Sequence, residues 1–167
     1  TSTTAALALG DALAVALLEA KNFKSDDFAK SHPGGKLGKR LITTVDDLMS
    51  KGEALPIVTK ETSLSETLIE ISSKGLGVAL VVNKNKLLGI FTDGDLRRTL
   101  NNEKDPLNKD IQSFMTQKSK TIQKDCLAIE ALEIMQNNSI YSLAVLDNKH
   151  APVGVIRMHD LIEAGLV

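Results

Sequence analysis

The chain has 167 residues, enough for one full domain or two small ones, with 20 basic residues against 21 acidic ones and a formal charge of -1. That balance supplies no general electrostatic pull toward nucleic acid or an anionic membrane, and none toward either is expected. With 43% hydrophobic and 25% charged residues, disorder, collagen and coiled coil are excluded as descriptions of the whole chain.

Ser2, Thr3 and Thr4 are helix-capping side chains, and the Ala- and Leu-rich stretch after them predicts a helix that runs to about Asn22. Apolar residues surround almost its whole circumference, so it needs neighbours on several sides. Its apolar run, residues 5–20, is interrupted by Gly10 and Asp11 and reads as too short and too rich in Ala to cross a bilayer. The first residue is Thr1, and the chain is expected to be cut from something longer. A short helical piece is expected over residues 26–30. Ser31-His32-Pro33-Gly34-Gly35 then forms a turn that halts regular structure.

From Thr44 the sequence repeats with a period of roughly 65 residues, the length of a supersecondary unit. Asp47-Leu48-Met49 is answered by Ser113-Phe114-Met115. A short strand at 55–59 corresponds to 119–123, and Glu66-Thr67-Leu68 within a helical pattern corresponds to Glu130-Ala131-Leu132. Val78-Ala79-Leu80-Val81-Val82 parallels Ser142-Leu143-Ala144-Val145-Leu146, and each run enters a polar turn and a second strand. Gly89-Ile90-Phe91-Thr92-Asp93-Gly94-Asp95-Leu96 then aligns with Gly154-Val155-Ile156-Arg157-Met158-His159-Asp160-Leu161, where a strand runs straight into a helix. Each repeat reads strand, helix, strand, strand, helix. One copy would leave a sheet with a bare apolar face, so two copies related by an approximate twofold form the folding unit of an α/β (α+β) protein.

Cys126 is the only cysteine; it cannot close an intrachain disulfide and reads as a small buried hydrophobe in an apolar helical context. A reducing cytoplasm is the expected compartment. The three histidines lack metal-ligand spacing with one another or with Cys126, so no metal site is expected. His150 sits in a polar turn and reads as solvated, while Met49 and Met115 read as plugs between the first segment and the repeats.

The order of elements, with its leading hydrophobic-Met turn and, in the first copy, a closing Gly-x-x-Thr-x-x-Asp, resembles the CBS domain, which occurs as tandem pairs called Bateman modules. The resemblance runs from about Thr43 to the C-terminus. Upstream, Thr1-Ser2-Thr3-Thr4-Ala5-Ala6-Leu7-Ala8-Leu9-Gly10-Asp11-Ala12-Leu13 and Ser31-His32-Pro33-Gly34-Gly35-Lys36-Leu37-Gly38 look like the end of the sugar isomerase (SIS) domain of arabinose 5-phosphate isomerases. The implied layout is 1–42 as the tail of that domain, 43–107 as CBS repeat 1 and 108–167 as CBS repeat 2. The implied parent interconverts D-ribulose 5-phosphate and D-arabinose 5-phosphate, supplying the KDO sugar of lipopolysaccharide. His32 matches the family's active-site histidine, and an imidazole suits proton transfer near neutral pH. The remaining catalytic residues would lie in an absent N-terminal domain, so the fragment alone is expected to be inactive. Self-association through CBS pairs, to dimers and to a tetramer in the parent, is also implied.

The repeats suggest nucleotide recognition. Asp95 and Asp160, near the start of the last helix of each copy, present two carboxylate oxygens that match two adjacent ribose hydroxyls, and each equally suits a plain helix cap. Thr92 precedes a helix start that favours phosphate, and residues 78–80 or 141–143, beginning at Val78 and at Tyr141 and Ser142, offer walls for a base. Asp93 beside Asp95 works against an anion, whereas Arg157 and His159 beside Asp160 favour one, so the second copy is expected to hold phosphate better. No cofactor is required. The expected effector is a cytidine nucleotide sugar or an adenine nucleotide, and the alternative is an oligomerisation module without an effector that lends His32 to the active site.

Overall fold

The computed structural model describes residues 2–24, 27 and 36–167, in two compact units, Thr1–Ile42 and Thr43–Val167. In the first unit, α1 (Ser2–Ala20) is a 19-residue helix with no buried residue, and α2 (Lys36–Ile42) follows. Leu7, Leu9, Leu13 and Leu17 of α1 are all more than half exposed. Its length corrects one expectation: at ~1.5 Å per residue it rises about 28 Å, so by length and composition it suits a bilayer as well as a protein core. The piece expected at 26–30, apart from Asp27, and the turn at 31–35 with His32, lie outside the described residues.

The second unit begins with α3 (Val45–Leu48) and β1 (Ser50–Lys51). The first repeat then gives β2 (Ile57–Thr59), α4 (Leu64–Lys74), β3 (Val78–Asn83), β4 (Lys86–Thr92) and α5 (Asp93–Asn102). A one-turn 3-10 helix (Ile111–Ser113) and β5 (Thr116–Gln117) lead into β6 (Thr121–Gln123), α6 (Ala128–Asn138), β7 (Ser142–Leu146), β8 (Pro152–Arg157) and α7 (Met158–Glu163). The strand-helix-strand-strand-helix order expected for each repeat is present twice. Polar turns join the hairpins; at Lys84 and Asn85 both φ angles are positive (47° and 63°), the backbone a tight two-residue turn requires.

The two sheets have the same order, β2-β3-β4-β5 and β6-β7-β8-β1, each with one parallel pair followed by antiparallel ones. The last strand of each is exchanged: β1, near the start of repeat 1, pairs with β8, and β5, near the start of repeat 2, pairs with β4. The segments before them are exchanged too. The Val45 N–H donates to the Cys126 carbonyl (2.9 Å) and the Ala128 N–H to the Thr43 carbonyl (2.8 Å), while in the other half Ile111 donates to Thr62 (2.9 Å) and Leu64 to Lys109 (3.0 Å).

Packing follows the exchange. Val45 and Met49 are buried in the second half's core with Leu132, Met135, Leu143, Ile156 and Leu161, and Ile111 joins Leu64, Val81 and Phe91 in the first half's core with Phe114 and Met115 against it. Met49 is therefore a core residue of the opposite half, and Met115 packs half-buried against the core of the other. A third cluster, with Leu55, Val78, Leu80, Ala144 and Val155, unites residues of both sheets. Cys126 corrects an expectation in part: it is half-buried against the second core, in the turn before α6 rather than in a helix.

Helix starts are fixed by short polar boxes. The Ser63 hydroxyl and N–H donate to Glu66 (2.7 and 3.1 Å), and Thr44 does the same to Asp47 (2.7 and 2.8 Å). The side-chain hydroxyls of Thr44 and Ser63 are the chief cause holding Asp47 and Glu66 below the ordinary carboxylate range, and the Ala151 N–H does the same for Asp147. A carboxyl depressed by folding stabilises fully above its unfolded value and loses that contribution as pH falls through its folded value. Urea midpoints are therefore expected to hold steady from about pH 7 to 5 and decline below about pH 4, and to decline less when Asp47 is replaced by Asn.

Candidate functional site

The residues expected to hold a nucleotide fall at one end of each sheet, where the last strand enters the last helix. In the first half, Val78 pairs with Thr92 at the end of the β3–β4 ladder. Thr92 caps α5: its N–H and hydroxyl donate to one Asp95 oxygen (2.9 and 2.7 Å), and its own hydroxyl accepts weakly from the Asp95 N–H (3.4 Å). The other Asp95 oxygen accepts from Arg98 (2.6 Å) and from the Thr116 hydroxyl (2.7 Å), the latter carried in on the exchanged β5. Asp95 is buried, at 5% exposure, with both oxygens occupied. It lies at the edge of a depression of about 360 Å³ that Arg98, Lys109 and Phe114 also line.

In the second half Ser142 pairs with Arg157, the residue before α7. The Arg157 backbone N–H donates to one Asp160 oxygen (2.8 Å) and its guanidinium to the other (2.7 Å), with a longer Nε contact of 3.3 Å. That guanidinium also reaches the Gly75 carbonyl (3.4 Å), at the left-handed end of α4 in the opposite repeat. The Asp160 bond is the main cause raising the Arg157 pKa further above its usual range.

Three expected ligands are disposed differently. His159 is exposed and its Nε2 lies 3.2 Å from Glu163 one turn on, so its imidazole is directed along the helix surface. Val78, at 2% exposure, is packed within the inter-sheet cluster, and Tyr141 is 77% exposed with its carbonyl accepting from the Met158 N–H (2.8 Å). The ends thus gather Thr92 with Asp95, and Ser142 with Arg157 and Asp160. Sequence reasoning missed Arg98 and Thr116. Arg98, three residues after Asp95, was available as a helical ion pair; Thr116 becomes visible only with the strand exchange.

The CBS domain profile matches residues 45–102 and 109–166, one match for each repeat. The chain belongs to the CBS domain family. As a tandem CBS pair it is similar to the CBS domain pair of protein MJ0100 in complex with 5'-methylthioadenosine and S-adenosyl-L-methionine (24% identity, TM-score 0.66, covering 73% of this chain and 94% of that one). It is also similar to CBSX2 in complex with AMP (21% identity, TM-score 0.64, 74% and 96% covered). Those likenesses establish the fold. Over its whole length the CBS-pair chain is 52% identical to the arabinose 5-phosphate isomerase KdsD of Pseudomonas aeruginosa, covering 99% of this chain and 51% of that protein. The chain spans about half the length of the curated relatives it matches.

Proposed function

We propose that this chain is the regulatory CBS pair of an arabinose 5-phosphate isomerase and binds a nucleotide or nucleotide sugar at the Arg157–Asp160 end. The observation that carries the reading is the pairing of Asp160 with Arg157, whose guanidinium also touches the opposite repeat. A ribose diol would donate to the carboxylate oxygens that Arg157 now occupies, and the released guanidinium would fork onto the ligand's phosphate. Because that same guanidinium ties β8 to Gly75, the exchange would alter how the two repeats are held. A ligand that favours one arrangement shifts whatever domain is attached, in proportion to its unequal affinity for the two.

Under this reading the parent is a cytoplasmic enzyme of KDO and lipopolysaccharide synthesis, its sugar isomerase domain upstream and His32 lent to the active site. Its effector would be a cytidine nucleotide sugar or an adenine nucleotide. The MJ0100 complex with 5'-methylthioadenosine and S-adenosyl-L-methionine and the CBSX2 complex with AMP support the ligand class, and the identity to the isomerase supports the parent. A second reading, an oligomerisation scaffold, is favoured by three apolar side chains more than half exposed on α4, α5 and α7: Ile69, Leu100 and Ile162.

Calorimetric titration of the chain with AMP, S-adenosylmethionine and a cytidine nucleotide sugar tests the sensor. Saturable binding of at least one is expected, weakened about tenfold or more by Asp160→Ala. Silence toward all three, with self-association persisting in sedimentation, would overturn the sensor and leave the scaffold.

A further inference from the structure

A second hollow, of about 330 Å³, opens at the other end of the second unit's strands, where the crossing from β5 to β6 passes between the two hairpins. It is lined by four basic side chains from three separate segments: Lys86 at the start of β4, Lys118 in the crossing, and Lys149 and His150 in the β7–β8 turn. Neither Asp95 nor Asp160 lines it.

Three features set this basin apart from an ordinary patch of surface lysines. First, three lysines of separate segments converge on one hollow, and among the described residues Lys86, Lys118 and Lys149 form no ion pair, as is also true of Lys84, Lys104, Lys120 and Lys124. Asp147, in the same turn as Lys149, gives one carboxylate oxygen to the N–H groups of Lys149 and Ala151 (2.8 Å each), and the charges of Lys149 and His150 are lesser causes of its lowered pKa. Second, Ser119, which also lines the hollow, has a buried hydroxyl oxygen with no hydrogen-bond partner. A buried polar atom left unmade works against folding, and such atoms are rare enough to require a reason. Third, Lys118 stands at φ 50°, in the left-handed region where a side chain other than Gly, Asn or Asp is strained. Leu87 and Leu146 give the hollow an apolar floor.

We propose that this basin is a binding site for a small phosphate-bearing molecule. Lys118 and Lys149 supply charge, the Ser119 hydroxyl, shielded where it stands, turns about its Cα–Cβ bond to donate to a phosphate oxygen, and Leu87 and Leu146 take the sugar or base. The volume is that of a small-ligand pocket, and an anion would neutralise three unpaired lysines while completing the orphan hydroxyl. The site is separate from the Arg157–Asp160 end and stands whether or not that end binds a nucleotide. Its phosphate could belong to inorganic pyrophosphate, a sugar phosphate or a nucleotide.

The test is amide chemical-shift mapping of the full chain at low ionic strength with pyrophosphate, ribose 5-phosphate and AMP in turn. Saturable shifts at residues 118–121 and 146–150 are expected with at least one probe. Pyrophosphate alone would identify a bare phosphate site, whereas tighter binding of ribose 5-phosphate or AMP would show the apolar floor at work. Lys118→Gln with Lys149→Gln should weaken the binding about tenfold or more, while Asp160→Ala leaves it unchanged. Ser119→Ala should weaken it several-fold without lowering the urea midpoint, and Lys118→Gly should weaken it while raising that midpoint, because the strain is relieved. Shifts confined to residues around Asp95 or Asp160, shifts at the basin that survive the double lysine variant, or no shift with any probe would overturn the proposal.

Discussion

Replacing Gly89 by Ala is expected to destabilise the chain by about 3 kcal/mol, more than the same change at the equivalent Gly154. A Cβ at Gly89 would stand 2.5 Å from the Thr116 carbonyl oxygen and 3.1 Å from the Met115 sulphur. The first neighbour is backbone of the exchanged β5, held in register by Gly89↔Gln117 and Ile90↔Thr116, so relief requires the strand to move off β4. At Gly154 the closest atom is the Met49 sulphur, with the Ser50 carbonyl oxygen at 3.2 Å. A thioether chain can rotate away where a ladder carbonyl cannot, and a cost of about 1–2 kcal/mol is expected there. Urea denaturation of both variants checks the order. Met49→Ala should make Gly154→Ala less costly than in the parent background, a coupling of about 1 kcal/mol, whereas Met115→Ala should leave the cost of Gly89→Ala nearly unchanged. Equal costs at the two glycines would show that β5 yields as readily as a side chain.

The same two glycines mark the boundary of what could be read beforehand. Each appears in the sequence as the start of a matching Gly-Ile-Phe or Gly-Val-Ile strand, and periodicity together with duplication was enough to order the strands and helices of both repeats. The exchange of β1 and β5 left no such trace. Each is two residues long, too short for an alternating pattern, and its partner lies in the other repeat. Met49 and Met115 are visible as a recurring pair, but nothing local shows that each packs over the glycine of the opposite repeat, Met49 buried and Met115 half-buried.

The candidate sites divide along the same line. Thr92 with Asp95 and Arg157 with Asp160 are three residues apart on a helix start, a local relation that the sequence states outright. The contact of Arg157 with Gly75 joins residues 82 positions apart, and the basin at Ser119 assembles from three segments; neither has a local signature. His159 illustrates the converse. It lies beside Asp160 in sequence, but successive helical residues point about 100° apart, and its real partner is Glu163, four residues on.

Asp95→Ala is expected to destabilise the chain by about 3 kcal/mol, against roughly 1–2 kcal/mol for Asp160→Ala. Both caps serve a last helix, but Asp95 is the more buried and also anchors the exchanged strand. Removing it strands the Thr92 N–H at the head of α5 and unties the exposed β5 from that helix, while the Thr116 hydroxyl and the exposed Arg98 return to water at little cost. Asp160 holds only Arg157, whose guanidinium keeps its contact with Gly75. Asn at position 95 gives a finer test. Its amide nitrogen cannot face the Thr92 pair, because both of those groups donate to the same oxygen. Turned the other way it meets Thr116, whose hydroxyl can rotate to accept, and only the Arg98 bond is lost. Asp95→Asn is therefore expected to cost about half as much as Asp95→Ala, and Thr116→Val should abolish that advantage. If Asn and Ala cost the same with Thr116 in place, Asp95 acts through its charge rather than through the geometry of its two oxygens. Loss of nucleotide binding in Asp95→Ala would then have to be measured at a temperature where the variant is folded before it counts as loss of a ligand contact.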